Sequence, residues 1–157
     1  MTRRVRTMAV GVIGMLLVGI PLAFAKSNSK LPVEEAQLTY APDVPPPLTR
    51  KKPAIVQVHL DSGMDLMELA SGLQYHYWTF NDHVPGPFIR ARVGDTLEVH
   101  VTNSDASGMP HNVDLHAVTG PGGGAPVTTV VQGEERVAWF KLLHPGLFIY
   151  HCAAPPV

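Results

Sequence analysis

The sequence predicts an all-β fold, an antiparallel sandwich or barrel, on three observations. Several short runs alternate apolar and polar residues with period two. Gly, Pro, Asn or Asp interrupts these runs roughly every 8 to 20 residues. No stretch of about ten residues beyond Ala25 carries the apolar stripe of a helix. Taken in order, Val56, Val58 and Leu60 alternate with Gln57 and His59. The aromatic run Tyr75 to Phe80 leads into the turn-rich Asn81 to Pro87. Leu97, Val99 and Val101 alternate with Glu98, His100 and Thr102, and Val113 and Leu115 with Asn112, Asp114 and His116. Arg136 to Lys141 and Leu147 to Cys152 complete the set. Asp65 to Ala70 has room for a single helical turn. Thr119 to Gly124 reads as a turn, because it lacks the Lys-Ser/Thr of a phosphate loop and a following helix.

The chain divides into three. Arg3, Arg4 and Arg6 precede an apolar run, Met8 to Phe24, that closes on Ala23-Phe24-Ala25. A charged start, an apolar middle and small residues at a cut site describe a secretory signal peptide over 1–25, cleaved after Ala25. Residues 26–53 are Pro-rich and polar, with three consecutive prolines at Pro45, Pro46 and Pro47. Proline donates no ladder hydrogen bond, so this segment reads as an extended arm. Residues 54–157 form the folded part. Export implies work outside the cytoplasm, with no stable membrane span after cleavage.

Composition narrows the function. With 45% apolar and 16% charged residues the chain is no disordered charged tail. Removing the three leader arginines from 12 Lys and Arg leaves 9 − 13 = −4 against the 13 Asp and Glu, which excludes a nucleic-acid partner. One Cys excludes a disulfide scaffold, and eight His beside it are the compositional oddity.

Strand parity sorts these histidines. Side chains two apart share a face of a strand and adjacent ones diverge. Asp114 and His116 therefore share a face. His151 and Cys152 diverge, Cys152 falling in step with Phe148 and Tyr150. His111 and His116, an odd number apart, diverge as well. Two pairs become available, His111 with Cys152 and His116 with His151. A pair with a thiolate and an all-imidazole pair suit two metals of different character. Spacing alone leaves a blander reading open, in which Cys152 is a small buried hydrophobe and Asp114 an exposed polar position. His59, His76, His83, His100 and His144 lie in alternating strands or turns and read as solvated or hydrogen-bonded.

A family resemblance bears on that choice. Met109 to His116, Thr119 to Gly124 and Gly146 to Ala153 together resemble the first cupredoxin domain of copper-containing nitrite reductases. Trp78 to Asn81, Val84 to Arg90 and Gly94 to Thr96 match the same family less specifically, being shared with multicopper oxidases. The likeness runs from about Leu31 to Val157. It implies a cupredoxin-like Greek-key sandwich or barrel and two copper centres. His111 and Cys152 resemble ligands of the type 1, electron-transfer copper. His116 and His151 resemble ligands of the type 2, catalytic copper, and Asp114 matches the acid that hydrogen-bonds nitrite and relays a proton. The implied reaction turns nitrite into nitric oxide, with electrons from a small cupredoxin or cytochrome c passing from type 1 to type 2 copper. The implied setting is a periplasmic homotrimer.

The sequence also departs from the family pattern. The remaining blue-copper His and Met would lie beyond the Cys, where this sequence has neither. The third His of the catalytic copper belongs to a second cupredoxin domain that is absent. The expectation is thus an incomplete first domain, truncated at its C-terminus and inactive alone. Two alternatives belong to other classes. A laccase-like multicopper oxidase would show a His-x-His pair near His111 and a His-Cys-His triplet, whereas here Ala153 follows Cys152. A small blue-copper electron carrier would need only His111 and Cys152.

Overall fold

A computed structural model of the protein describes residues 30–155. The segment read as a signal peptide lies outside them. Seven strands run in chain order as β1 (Val33–Glu35), β2 (Ile55–Ala70), β3 (Leu73–Phe80), β4 (Thr96–Asn103), β5 (Asp114–Leu115), β6 (Glu135–Lys141) and β7 (Tyr150–His151). The larger sheet has the order β1-β2-β4-β6, with β3 pairing β2, and β5 and β7 form a separate two-stranded sheet. The fold is all-β as expected, and no closed barrel forms among the described residues.

The alternation read from the sequence is the alternation of burial. Val56, Val58 and Leu60 on β2 and Leu97, Val99 and Val101 on β4 are buried, and Val113, Leu115 and Val130 from the opposite layer pack against them. Each such side chain contributes about 1.5–3 kcal/mol on leaving water. Gln57, His59, Glu98 and His100 occupy the other face of the same strands.

Three expectations are corrected. The sheet is mixed: β1 and β4 both pair β2 in parallel, while β3 and β6 pair antiparallel. Asp65 to Ala70 makes no helical turn. It continues β2, whose second half leaves β4 to pair with the aromatic strand β3, from Ser62 opposite Phe80 onward. Ladder bonds to a neighbouring strand satisfy these backbone groups more fully than one isolated turn could. Thirdly, the glycine run is followed by a helix, though only a single turn: a 3-10 segment Pro121–Gly124 continues into α1 (Ala125–Thr128). The runs around Val113 and Leu147 are also shorter as strands than their alternation suggests.

Within the Pro-rich arm, β1 is fixed to the domain by a charged clasp. Arg50 forks onto Asp95 through Nη1 and Nη2 at 2.7 and 2.5 Å and donates Nε to Glu34 of β1 at 2.6 Å. Asp95 is fully buried. Burial pushes its carboxyl up, but Arg50 and the N–H groups of Arg92 and Ala54 outweigh that and hold it below the ordinary carboxylate range. Its contribution to stability is present above the unfolded pKa and fades as pH falls through the folded one. Asp95→Asn leaves Arg50 facing a neutral amide and should cost about 3 kcal/mol at neutral pH. Urea denaturation should show that cost shrinking in acid.

Candidate metal centre

His111 sits where the chain enters the smaller sheet, its backbone bridged to Val130 at 3.0 and 2.8 Å. Its ring is 2% exposed, and Nε2 lies 2.8 Å from the buried carboxylate of Asp105. Asp105 in turn accepts the N–H of Ser107 at 2.8 Å. Burial raises the Asp105 carboxyl, yet the His111 and Ser107 bonds dominate and hold it low. A carboxylate accepting from Nε2–H leaves the lone pair on Nδ1, and Nδ1 faces Cys152 Sγ at 3.6 Å. Trp78 closes over the imidazole edge-on, with ring centroids 5.9 Å apart. Beside this pair lies a cavity of about 280 Å³ lined by Ser62, Trp78, His83, Tyr150 and Cys152 among others.

The second cluster forms where β5 pairs with β7. Asp114 of β5 is the direct ladder partner of His151 on β7, and the His116 N–H donates to Ile149 O at 3.1 Å. These contacts bring His116 Nε2 within 3.1 Å of His151 Nε2. One ligand atom each from Asp114, His116 and His151 fall within 4.8 Å of one another. Both rings are exposed and Asp114 is half-buried.

The structure thus brings together both pairs that parity suggested, and Asp114 joins the all-imidazole pair. His116 reaches it from a turn after β5, not from an extended strand. The roles of three supporting residues could not be read from the sequence. Asp105 lies in a polar Asn-Ser-Asp-Ala-Ser stretch indistinguishable from any loop. Asn112 accepts the Ala153 N–H at 2.8 Å and so ties the residue after Cys152 to the His111 segment. Gly123 adopts φ 49°, and a Cβ there would collide with the Asp114 carboxylate and lie 2.6 Å from Leu115 N. The glycine run therefore lets the backbone lie against the acid, a role that composition alone cannot distinguish from an ordinary turn.

The fold and this pair of sites define a class. The multicopper oxidase family profile matches residues 64–154, and the chain belongs to that family. Among curated relatives, the copper-containing nitrite reductase of Neisseria meningitidis serogroup B is 48% identical over 130 residues, 83% of this chain and 33% of its own. That of Neisseria gonorrhoeae is 49% identical over 128 residues, 82% of this chain and 33% of its own. The chain thus spans about a third of the length of these relatives. Of solved structures, a copper nitrite reductase from Thermus scotoductus matches 62% of this chain and 22% of its own, with 30% identity and a TM-score of 0.55. A multicopper oxidase matches 80% of this chain and 42% of its own, with 25% identity and a TM-score of 0.60.

Family membership implies copper, and the donor set fits it. Ligands about 2.0–2.3 Å from one first-row ion stand roughly 3.3–3.6 Å apart in a tetrahedral site. The 3.1 Å and 3.6 Å separations found here bracket that distance. Thiolate with imidazole suits a soft copper site, and imidazole with carboxylate a harder one. Asp105→Ala frees the His111 ring and should weaken metal binding at Cys152 by about 10–100-fold. Asp105→Asn, which keeps an acceptor, should lose less. Titration with Co²⁺, followed by thiolate-to-metal absorption, measures both.

Proposed function

We propose that these residues are the first copper domain of a nitrite reductase that forms nitric oxide. The observation that carries this reading is the back-to-back arrangement at His151-Cys152. His151 faces an open cluster with His116 and Asp114, while its neighbour Cys152 faces the buried His111. The 48–49% identity to nitrite reductases supports it.

His111 and Cys152 would hold the type 1 copper, and His116 and His151 the type 2 copper. Bound copper would supply the electron and a Lewis acid for the oxyanion. Reduction of nitrite to nitric oxide and water consumes one electron and two protons. Asp114, ladder-paired to His151, would hold a proton at a carboxylate oxygen and hydrogen-bond the substrate there. The peptide linking His151 to Cys152 would give the short covalent connection between the two sites. Gly123 would keep the acid in place by leaving no side chain in its path.

The wider setting follows the same reading. A leader over 1–25 would export the protein to the periplasm, and no helix among the described residues is long and apolar enough to cross a membrane. Residues 26–53 would form an arm and 54–157 belong to the first cupredoxin domain. A second domain and a homotrimer would complete the catalytic ligands, and a small cupredoxin or cytochrome c would donate electrons. A laccase-like oxidase is the second reading, favoured by the multicopper oxidase fold match. The His111-x4-His116 spacing and Ala153 after Cys152 speak against it.

Three outcomes test the proposal. The whole protein, loaded with copper and given a reduced donor and nitrite, should release nitric oxide. In it, Cys152→Ser should abolish the blue thiolate absorption, and His116→Ala should keep that colour while losing turnover. Copper-dependent phenol oxidation without nitric oxide would favour the oxidase. The 157-residue chain, which supplies two protein ligands to the type 1 site and two imidazoles to the type 2 site, should release nitric oxide at less than about a tenth of the whole protein's rate, a barrier at least roughly 1.4 kcal/mol higher.

A further inference from the structure

The outer face of the large sheet carries a second group of metal-ligating side chains, remote from Cys152 in the fold. His59 on β2 and His100 on β4 are direct partners in the parallel ladder, and their rings stack with centroids 4.3 Å apart. Glu135 on β6 reaches the same spot, and one ligand atom from each of the three lies within 4.8 Å of the others. Glu35, from β1, stands 3.7 Å from His59 Nε2. Three strands and the docked arm thus converge on one point.

The carboxylate behind His100 gives the cluster direction. Glu98 lies 2.9 Å from His100 Nε2 and is itself held by Gln57 at 2.8 Å and Trp139 Nε1 at 2.9 Å. A ligating histidine usually donates its other ring N–H to such a carboxylate, which fixes the tautomer and raises ligand basicity. With Nε2–H given to Glu98, Nδ1 presents a lone pair, and Nδ1 faces Glu135 Oε1 at 3.0 Å. A lone pair and a carboxylate oxygen at that distance repel unless a cation sits between them. That cation is a proton or a metal ion.

We propose that His59, His100 and Glu135 bind a divalent transition ion of the Zn²⁺ or Cu²⁺ class, with Glu98 as the positioning residue and Glu35 at the rim. Two imidazoles select against Mg²⁺ and Ca²⁺, which take oxygen ligands. The two carboxylates of Glu135 and Glu35 balance a 2+ charge. Ligands about 2.1 Å from one ion stand roughly 3.4 Å apart, so the ligand atoms, now within 4.8 Å of one another, draw together on binding. The His59 and Glu135 side chains are both more than half exposed.

Zinc alone is the probe. In the unmodified chain, His59→Ala should lower the zinc stoichiometry measured by calorimetry by one equivalent. In a chain carrying Cys152→Ser, His116→Ala and His151→Ala, checked for folding by circular dichroism, one equivalent should remain. In that background His59→Ala or Glu98→Gln should weaken it at least tenfold, and tenfold excess Mg²⁺ should not displace it. Zinc binding indifferent to His59 and Glu98, or displaced by Mg²⁺, would overturn the proposal and leave a proton as the ion between His100 and Glu135. The inference does not rest on the nitrite reductase reading, because the background chain lacks three of that reading's four metal ligands.

Discussion

The pairing of Asp114-Leu115 with Tyr150-His151 is the constraint on which both candidate copper sites depend. It opposes Asp114 to His151 and leaves Cys152 to leave the ladder toward His111. Two residue pairs make a marginal sheet by themselves. The surroundings hold it. Asn112 binds the Ala153 N–H, Tyr150 donates its hydroxyl to Pro87 O at 2.7 Å, and Thr128 Oγ1 both accepts the Val113 N–H and donates to Val113 O. Burial raises the Tyr150 phenol well above its ordinary value, so the hydroxyl stays a donor throughout the working pH range. A slip of one residue in this ladder would turn His151 inward and Cys152 outward.

Much of this was legible in the sequence, for a definite reason. Val56-Val58-Leu60 and Leu97-Val99-Val101 alternate because one face of each strand is buried, and period two survives any sheet topology. For the same reason it could not reveal that β2 and β4 run parallel. Side-chain alternation is identical in the two directions, and the direction is set by connections distant in sequence. Asp65 to Ala70 misled because its residues project beyond the core, where no burial enforces alternation: Leu66 and Leu69 are both about half exposed. What makes this segment a strand is its partner β3, a fact about another part of the chain.

The candidate metal ligands were legible as pairs because His111, His116, His151 and Cys152 lie in or beside strands whose parity can be counted. Their supports were not. Asp105 precedes His111 by six residues through an irregular loop, and no period connects them. Only the fold shows that its carboxylate is buried and bonded to the ring. Gly123 was visible as a turn former, but its reason for being glycine is the Asp114 side chain nine residues away in sequence.

The two clusters differ in burial as much as in ligand type, and that difference follows from the same ladder. His111 is sealed by Trp78 and Asp105, so its position is enforced by packing and reorganises little when charge changes. His116 and His151 stand open to solvent, with the acid Asp114 half-buried between them and the glycine run. In the function proposed above, an electron-transfer centre benefits from a rigid, dry setting, whereas an oxyanion and two protons must enter from water. Adjacent residues on one strand can serve both needs because they point to opposite sides. The ladder that buries Leu115 thereby sets the sheltered His111–Cys152 pair and the exposed His116–His151 pair on either side of a single peptide bond.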